Sequence, residues 1–218
     1  MKQALFFTYI CFLLLSAVAS IIYRRNLIGW RLTIMSVYLP LLFILEAYLA
    51  WHLHEWPAKT NDFAYNIYKP VNVIVFASLY YSIPIMSRFR KLIIGITAVY
   101  LFILIIAYSF IVSIDVANTS ITLARGMCIS FFALFYLISL LLVDDFAATK
   151  FWQPLTWMTI GILTFYPVAS ISIGFYHYLR DYNATLFGLK LYQVVPQLMS
   201  IFMYSCFTYA FYLCKKKS

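Results

Sequence analysis

The chain has 218 residues, of which 65% are hydrophobic, 20% aromatic and 11% charged, with a mean hydropathy of +0.89. Soluble domains carry about 25% charged residues, so this composition excludes a cytosolic or secreted enzyme, a nucleic-acid-binding protein and a disordered tail. The formal net charge of +9 therefore needs an explanation other than a nucleic-acid partner.

Apolar runs bounded by charged residues or by Pro, Asn and Asp clusters predict seven transmembrane helices. The expected helices cover residues 3–23, 31–53, 64–86, 92–113, 120–143, 154–178 and 190–213. The connections are short, so neighbouring helices should be antiparallel. We expect residues 1–218 to form a single domain, an all-α polytopic membrane helix bundle.

The first apolar run also resembles a signal peptide, because Ala17-Val18-Ala19 fits an Ala-x-Ala cleavage site. Its apolar stretch continues to Tyr23, which is long for a signal core. Cleavage would also place Arg24 and Arg25 on the outer side, against the charge distribution of the chain. We therefore expect an uncleaved helix.

Basic residues are distributed unequally between the two sides of the predicted bundle. One side, which carries the C-terminus, has Arg24, Arg25, Arg31, Arg88, Arg90, Lys91, Lys150, Lys215, Lys216 and Lys217. The other side has Lys2, Lys59, Arg180 and Lys190. The positive-inside rule then predicts an outer N-terminus and a cytoplasmic C-terminus. The basic net charge is thus a signal of membrane orientation.

Three ionisable residues lie inside the predicted spans: Glu46, Lys69 and Arg125. A charge near the bilayer centre costs at least ~2.5 to 3.5 kcal/mol unless it is paired or hydrated, so such residues are candidates for function. Each lies about six to eight residues from the outer end of its helix, a depth of roughly 9 to 12 Å. We expect all three at one level in the outer half.

Polar side chains at helical spacing extend this cluster, and their faces should point into the bundle. In one interpretation Glu46 pairs with Lys69 or Arg125, and the amides join neighbouring helices. In the other, a hydrated pocket open to the outside leaves one basic side chain for an anionic ligand. The candidate ligand-binding residues are Glu46, Lys69, Asn72, Arg125, Gln193 and Gln197.

Three histidines on the outer side, His52, His54 and His177, are weak candidates for metal ligands. A His-x-His pair at a helix end directs its rings roughly 200° apart, which does not favour a shared ion. The cysteines are dispersed along the chain and form no Cys-x-x-Cys motif. We expect no metal and no cofactor, and we identify no catalytic residues.

Several short motifs carry a family resemblance. They are Glu46 in the second helix, Tyr65-Asn66-Ile67-Tyr68 at the start of the third, and Phe151-Trp152 through Trp157 to Gly161 and Tyr166 in the sixth. In these motifs the chain resembles a group of small bacterial seven-helix membrane proteins that have no assigned function. Its layout is similar to the seven-helix sensory modules of bacterial receptors. The resemblance implies a fold and a bacterial cytoplasmic membrane, and it implies no reaction.

Three functions stay open at the level of the sequence. A sensor or accessory protein would bind a small anionic or lipid-like ligand in the outer pocket and signal to a cytoplasmic or membrane partner. A transporter or pore-forming membrane effector would use the same residues to line a path. An intramembrane enzyme would use Glu46 and a histidine as acid and base, but a nucleophile is missing. The inner half offers few polar side chains besides hydroxyls, which favours the first function.

Overall fold

The computed structural model describes residues 2–55, 61–116, 118–142, 153–175, 182, 185–186 and 189–215. Within these residues the protein is all-helical except for a pair of two-residue strands. The helices are α1 (Lys2–Ile22), α2 (Arg24–Gly29), α3 (Met35–Glu55), α4 (Asp62–Ser82), α5 (Arg90–Ile106), α6 (Thr119–Leu141), α7 (Pro154–Gly174) and α8 (Leu191–Lys215). A 3₁₀ helix (Pro84–Phe89) precedes α5 and a π-helical turn (Ala107–Ile111) follows it. Strands β1 (Thr185–Leu186) and β2 (Leu189–Lys190) pair in antiparallel fashion.

Each of the seven predicted helices corresponds to one long helix, but the second begins later than the sequence predicts. It begins at Met35 and not at residue 31, because residues 24–29 form the separate helix α2. The chain then turns at Arg31, whose φ of 59° lies in the left-handed region that non-glycine residues rarely adopt. The Arg31 guanidinium donates a hydrogen bond to the carbonyl oxygen of Ser82 at 2.6 Å. This tertiary contact holds the turn against the end of α4.

The third predicted helix also ends earlier than residue 86. Its last residue is Ser82, and Ile83 is extended with φ −79° and ψ 128°. Pro84 follows, and the residue before a proline is disfavoured in the helical region. Residues 84–89 then form the 3₁₀ helix, so the corner between α4 and α5 is itself helical.

Within the described residues, six helical segments are long and apolar enough to cross a membrane, so the chain has the character of a multi-pass membrane protein. They are Ala4–Ile22, Met35–His52, Pro84–Ile111, Thr119–Leu141, Pro154–Gly174 and Leu191–Lys215. Large apolar side chains cover their outer faces, among them Leu41, Phe102 and Ile105. Among the long helices of the described residues, the one outside this set is α4, which carries Asn66, Lys69, Pro70 and Asn72 in its sequence.

Helix α7 lies at the centre of the bundle, between α6 and α8. Helix α1 packs against α8 and α3, α4 packs against α6, and α5 lies on the periphery beside α4 and α6. Two glycines permit the central contacts. A Cβ atom at Gly126 would lie 1.8 Å from the Ser170 hydroxyl oxygen, and one at Gly161 would lie 3.2 Å from the Met203 backbone. The three central helices therefore approach each other closely.

One end of the bundle collects the basic side chains, and we call it the basic end. Arg24, Arg25, Arg88, Lys91 and Lys215 are exposed there. Arg90 donates from Nε to the Tyr81 carbonyl oxygen at 3.2 Å, so it binds the negative end of the α4 dipole as Arg31 does. Lys150, Lys216 and Lys217, which the sequence also places on this side, lie outside the described residues.

Candidate functional site

A polar cavity of about 420 Å³ opens at the end of the bundle opposite the basic end. Asp62 at the start of α4, Thr119 at the start of α6 and Ile173 near the end of α7 mark its mouth. Leu42 and Tyr166 lie deeper along their helices. Further lining residues are Tyr9, Glu46, Tyr65, Asn66, Tyr68, Lys69, Asn118, Thr122, Arg125, Phe165, Pro196, Ser200, Met203 and Tyr204.

The three ionisable residues singled out in the sequence, Glu46, Lys69 and Arg125, all line this one cavity. The ion pair considered in the sequence analysis is not formed. Within the described residues, Glu46 accepts a hydrogen bond from the Tyr65 hydroxyl at 3.1 Å, and no Lys or Arg nitrogen lies within 4 Å of its carboxylate. The carboxylate and the two cations therefore share a cavity and do not neutralise each other by direct contact.

The Lys69 ammonium group is hydrogen-bonded to a side-chain amide and to a backbone carbonyl of the protein itself. Its side chain is only 6% exposed, and Nζ donates to Asn66 Oδ1 at 2.7 Å and to the Asn118 carbonyl oxygen at 3.3 Å. Asn66 Nδ2 donates in turn to the carbonyl oxygens of Ile114 and Val116, at 2.6 and 2.9 Å. Lys69 thus ties α4 to the segment that enters α6, and its charge is partly satisfied there.

Arg125 differs from Lys69 in its hydrogen bonding within the described residues. Its Nε is buried and, among the described residues, has no hydrogen-bond partner. The guanidinium carbon lies 6.0 Å from the ring centroids of both Tyr68 and Tyr166. Two aromatic faces stabilise a cation without consuming its hydrogen-bond donors. Among the described residues that line the cavity, Arg125 is therefore the cation with donors free for a ligand.

Asn72 is fully buried at the centre of a tyrosine cluster next to Arg125. Its Nδ2 donates to the hydroxyls of Tyr38 and Tyr68, and its Oδ1 accepts from the Tyr166 hydroxyl at 3.0 Å. The hydroxyls of Tyr38 and Tyr68 are also hydrogen-bonded to each other. Asn72 therefore holds the two rings that face Arg125, and the described lining of the polar cavity does not include Asn72 itself.

The two glutamines predicted as ligand-binding residues are placed differently. Gln193 and Gln197 lie on α8 and are half-buried, and neither belongs to the described lining. Helix α8 contributes Pro196, Ser200 and Tyr204 instead. Tyr9, Tyr65 and Tyr68 line the site although the candidate residues did not include them. The signal for two of them is the spacing of Tyr65 and Tyr68 beside Lys69, which puts polar groups on one helical face.

The histidines are only partly described. His52 Nδ1 lies 3.3 Å from Asn61 Oδ1, where α3 meets the start of α4. The His54 side chain and all of His177 lie outside the described residues. In the part of the chain that the structure describes, no group of three or more His, Cys, Asp or Glu side chains could hold a metal ion.

Comparisons of this chain with protein-family models, with curated proteins and with solved structures find no match.

Proposed function

We propose that the protein is an integral membrane protein of sensor or accessory type, whose polar cavity faces outward and binds a small anionic or lipid-like ligand. The observation that carries this proposal is the buried Nε of Arg125, which has no acceptor among the described residues. A buried polar group without a partner costs about 1 to 3 kcal/mol and more when it is charged, so an anion that accepts from Arg125 would remove this cost.

The size of the cavity and the packing beneath it favour the binding of a ligand and not its transport across the membrane. Its volume of about 420 Å³ lies within the roughly 300 to 1,000 Å³ typical of small-molecule sites. Along α4 towards the basic end, the buried residues beyond Asn72 include the large side chains of Phe76 and Tyr80, which are almost completely buried. Tyr80 pairs with Thr159 at 3.1 Å, and on α6 Tyr136 pairs with Thr156 at 3.2 Å. Packing of this kind favours a closed floor over a transport path.

We infer that α4 is the seventh span. Its 21 residues correspond to a length of about 31 Å, which matches the hydrocarbon core of a bilayer. Its polar residues Asn66, Lys69 and Asn72 are buried, whereas Ile67 and Val71 are exposed. The helix is therefore apolar on its outer face and polar on its inner face, and this explains its low mean hydropathy.

Seven spans place the two termini on opposite sides. With the basic end in the cytoplasm, the polar cavity faces outward. The resemblance to bacterial seven-helix proteins favours the bacterial cytoplasmic membrane. A signalling partner would then meet the exposed arginines and lysines of the basic end.

Thermal unfolding in the presence of inorganic phosphate tests the proposal. At ten times the Kd, phosphate should stabilise the native protein by about 1.4 kcal/mol, or roughly 3 to 6 °C in Tm. Arg125→Gln should lose this shift while unfolding cooperatively, because glutamine keeps the bulk and removes the charge. The matched control is Arg88→Gln at the basic end, which should keep the shift. An equal phosphate shift in Arg125→Gln and in the native protein would refute the proposal.

A further inference from the structure

A second cavity, of about 450 Å³, lies between α3 and α4, and we call it the lateral groove. Helix α3 contributes Val37, Leu41 and Leu45, and α4 contributes Ile67 and Val71. Leu41 is 60% exposed and Val71 is 47% exposed, so the groove is open on the outer surface of the bundle. In a membrane this surface faces the acyl chains of the bilayer.

The lateral groove and the polar cavity share a wall. Leu42 and Tyr68 line both. Each helix therefore presents two neighbouring stripes. On α3, Glu46 faces the polar cavity and Leu45 the groove, and on α4, Lys69 faces the polar cavity and Val71 the groove. Adjacent positions on a helix are separated by about 100°, as Leu45 and Glu46 are on α3 and Asn66 and Ile67 are on α4, so the two stripes lie side by side.

The shared wall places a cation next to an apolar channel. The Arg125 guanidinium lies over the Tyr68 ring, and Tyr68 borders the groove. On the groove side, the lining of α4 extends from Phe63 to Val75, a distance of roughly 18 Å along the helix axis. A ligand with an anionic head and one long apolar chain complements this arrangement in both charge and polarity.

We propose that the ligand is an anionic amphiphile with a single acyl chain. The phosphate or carboxylate head accepts hydrogen bonds from Arg125 in the polar cavity. The chain passes between Leu42 and Tyr68 and lies in the lateral groove between α3 and α4. This inference rests on the proposed anion-binding function and specifies the class of ligand.

Photo-crosslinking in phosphatidylcholine nanodiscs tests the proposal with a lysophosphatidic acid whose acyl chain ends in a diazirine. The yield of labelling at groove residues such as Ile67 and Val71 should be at least fivefold higher with this lipid than with a lysophosphatidylcholine that carries the same diazirine chain. Arg125→Gln should reduce this labelling to the level of the choline lipid. Arg88→Gln at the basic end should leave it unchanged.

A second pair of variants tests the groove alone. Val71→Trp fills the groove and should abolish the labelling, whereas Val99→Trp makes the same change on the exposed face of α5 and should preserve it. Stabilisation of Val71→Trp by inorganic phosphate should persist, which shows that the variant is folded and that its head site is intact.

Two outcomes separate the inference from the function on which it rests. Suppose that phosphate stabilises the native protein and not Arg125→Gln, but the diazirine labels α5 and the groove equally. The proposed amphiphilic ligand is then refuted, and the proposed anion site at Arg125 is supported. Labelling that does not depend on Arg125, together with no stabilisation by phosphate, overturns both.

Discussion

Lys69 and Arg125 show how two cations of the same predicted depth come to differ. Both line the polar cavity. Lys69 lies one helical turn from Asn66 and reaches an acceptor on its own helix, whereas Arg125 faces tyrosine rings. Both residues can be read from the sequence. The hydrogen bond from the Lys69 ammonium group to the loop carbonyl oxygen of Asn118 cannot. The division of roles therefore depends on a tertiary contact.

Replacement of Lys69 by Met should loosen the segment that enters α6. The variant loses the hydrogen bonds to Asn66 and Asn118, so amide hydrogen exchange at Val116 and Ile121 should accelerate at least severalfold. Lys91→Met, at the exposed basic end, is the matched control and should leave exchange there unchanged. Unchanged exchange in the Lys69 variant would show that the lysine does not hold this segment.

Asn72 should be among the most sensitive polar residues of the bundle. Asn72→Leu leaves the hydroxyls of Tyr38, Tyr68 and Tyr166 without their shared amide, and each unsatisfied buried group costs about 1 to 3 kcal/mol. We expect a fall in the free energy of unfolding of at least about 2 kcal/mol, measured by denaturant titration in detergent. Asn26→Leu removes one 3.5 Å hydrogen bond and should cost much less. Equal losses would contradict the importance of the tyrosine cluster.

At the level of the helices, two glycines give opposite expectations for the same substitution. Gly161→Ala puts a Cβ atom 3.0 Å from Cys206 Cβ and 3.2 Å from the Met203 backbone, so α7 and α8 must separate. Overpacking of this kind costs about 1 to 3 kcal/mol. At Gly95 on α5 a Cβ meets no heavy atom of the described structure within 4 Å. Gly95→Ala should therefore stabilise by about 0.5 to 1 kcal/mol.

The measurement for both variants is the Tm in one detergent. Gly161→Ala should unfold at a lower temperature than the native protein and Gly95→Ala at a higher temperature. A Gly161→Ala variant as stable as the native protein would mean that α7 and α8 have room to adjust.

The positions of the helices could be predicted from the sequence. A continuous apolar run of about 20 residues forms a helix in a bilayer, because a helix satisfies the backbone hydrogen bonds within the run itself. The exact ends could not. The start of α3 depends on the left-handed turn at Arg31 and its contact with Ser82, which join residues far apart in the chain. The end of α4 was readable in principle, since Ile83 precedes a proline.

The charged residues that line the polar cavity are easier to single out from the sequence than the polar ones. An ionisable residue within a span must find a partner or water, so Glu46, Lys69 and Arg125 were expected to converge. Gln193 and Gln197 carry no such constraint, and they lie outside the described lining. The tyrosine cluster around Asn72 was missed because a tyrosine at helical spacing is equally typical of an apolar core.

At the level of the whole molecule, the proposed topology of seven spans predicts which residues are accessible from outside the cell. Ser113 and Ser87 are exposed at opposite ends of the bundle. In intact cells a membrane-impermeant maleimide should label Ser113→Cys and should label Ser87→Cys only after permeabilisation, with the native protein as background. Epitope tags at the two termini should lie on opposite sides. Tags on the same side would remove α4 from the set of spans and contradict the proposed topology.

The anchoring of Asn118 has a mechanical consequence. Its carbonyl is bound by Lys69 of α4 and its side chain accepts from the Ile121 amide, so the first turn of α6 is fixed to a neighbour. Because its first turn is held, α6 cannot slide along its axis, and it moves by tilting about that turn. A displacement of Arg125, which lies less than two turns from the fixed first turn, is then amplified at Leu141, about 33 Å from Thr119 along the helix. The far end of α6 is therefore the natural place to look for motion when the cavity is filled.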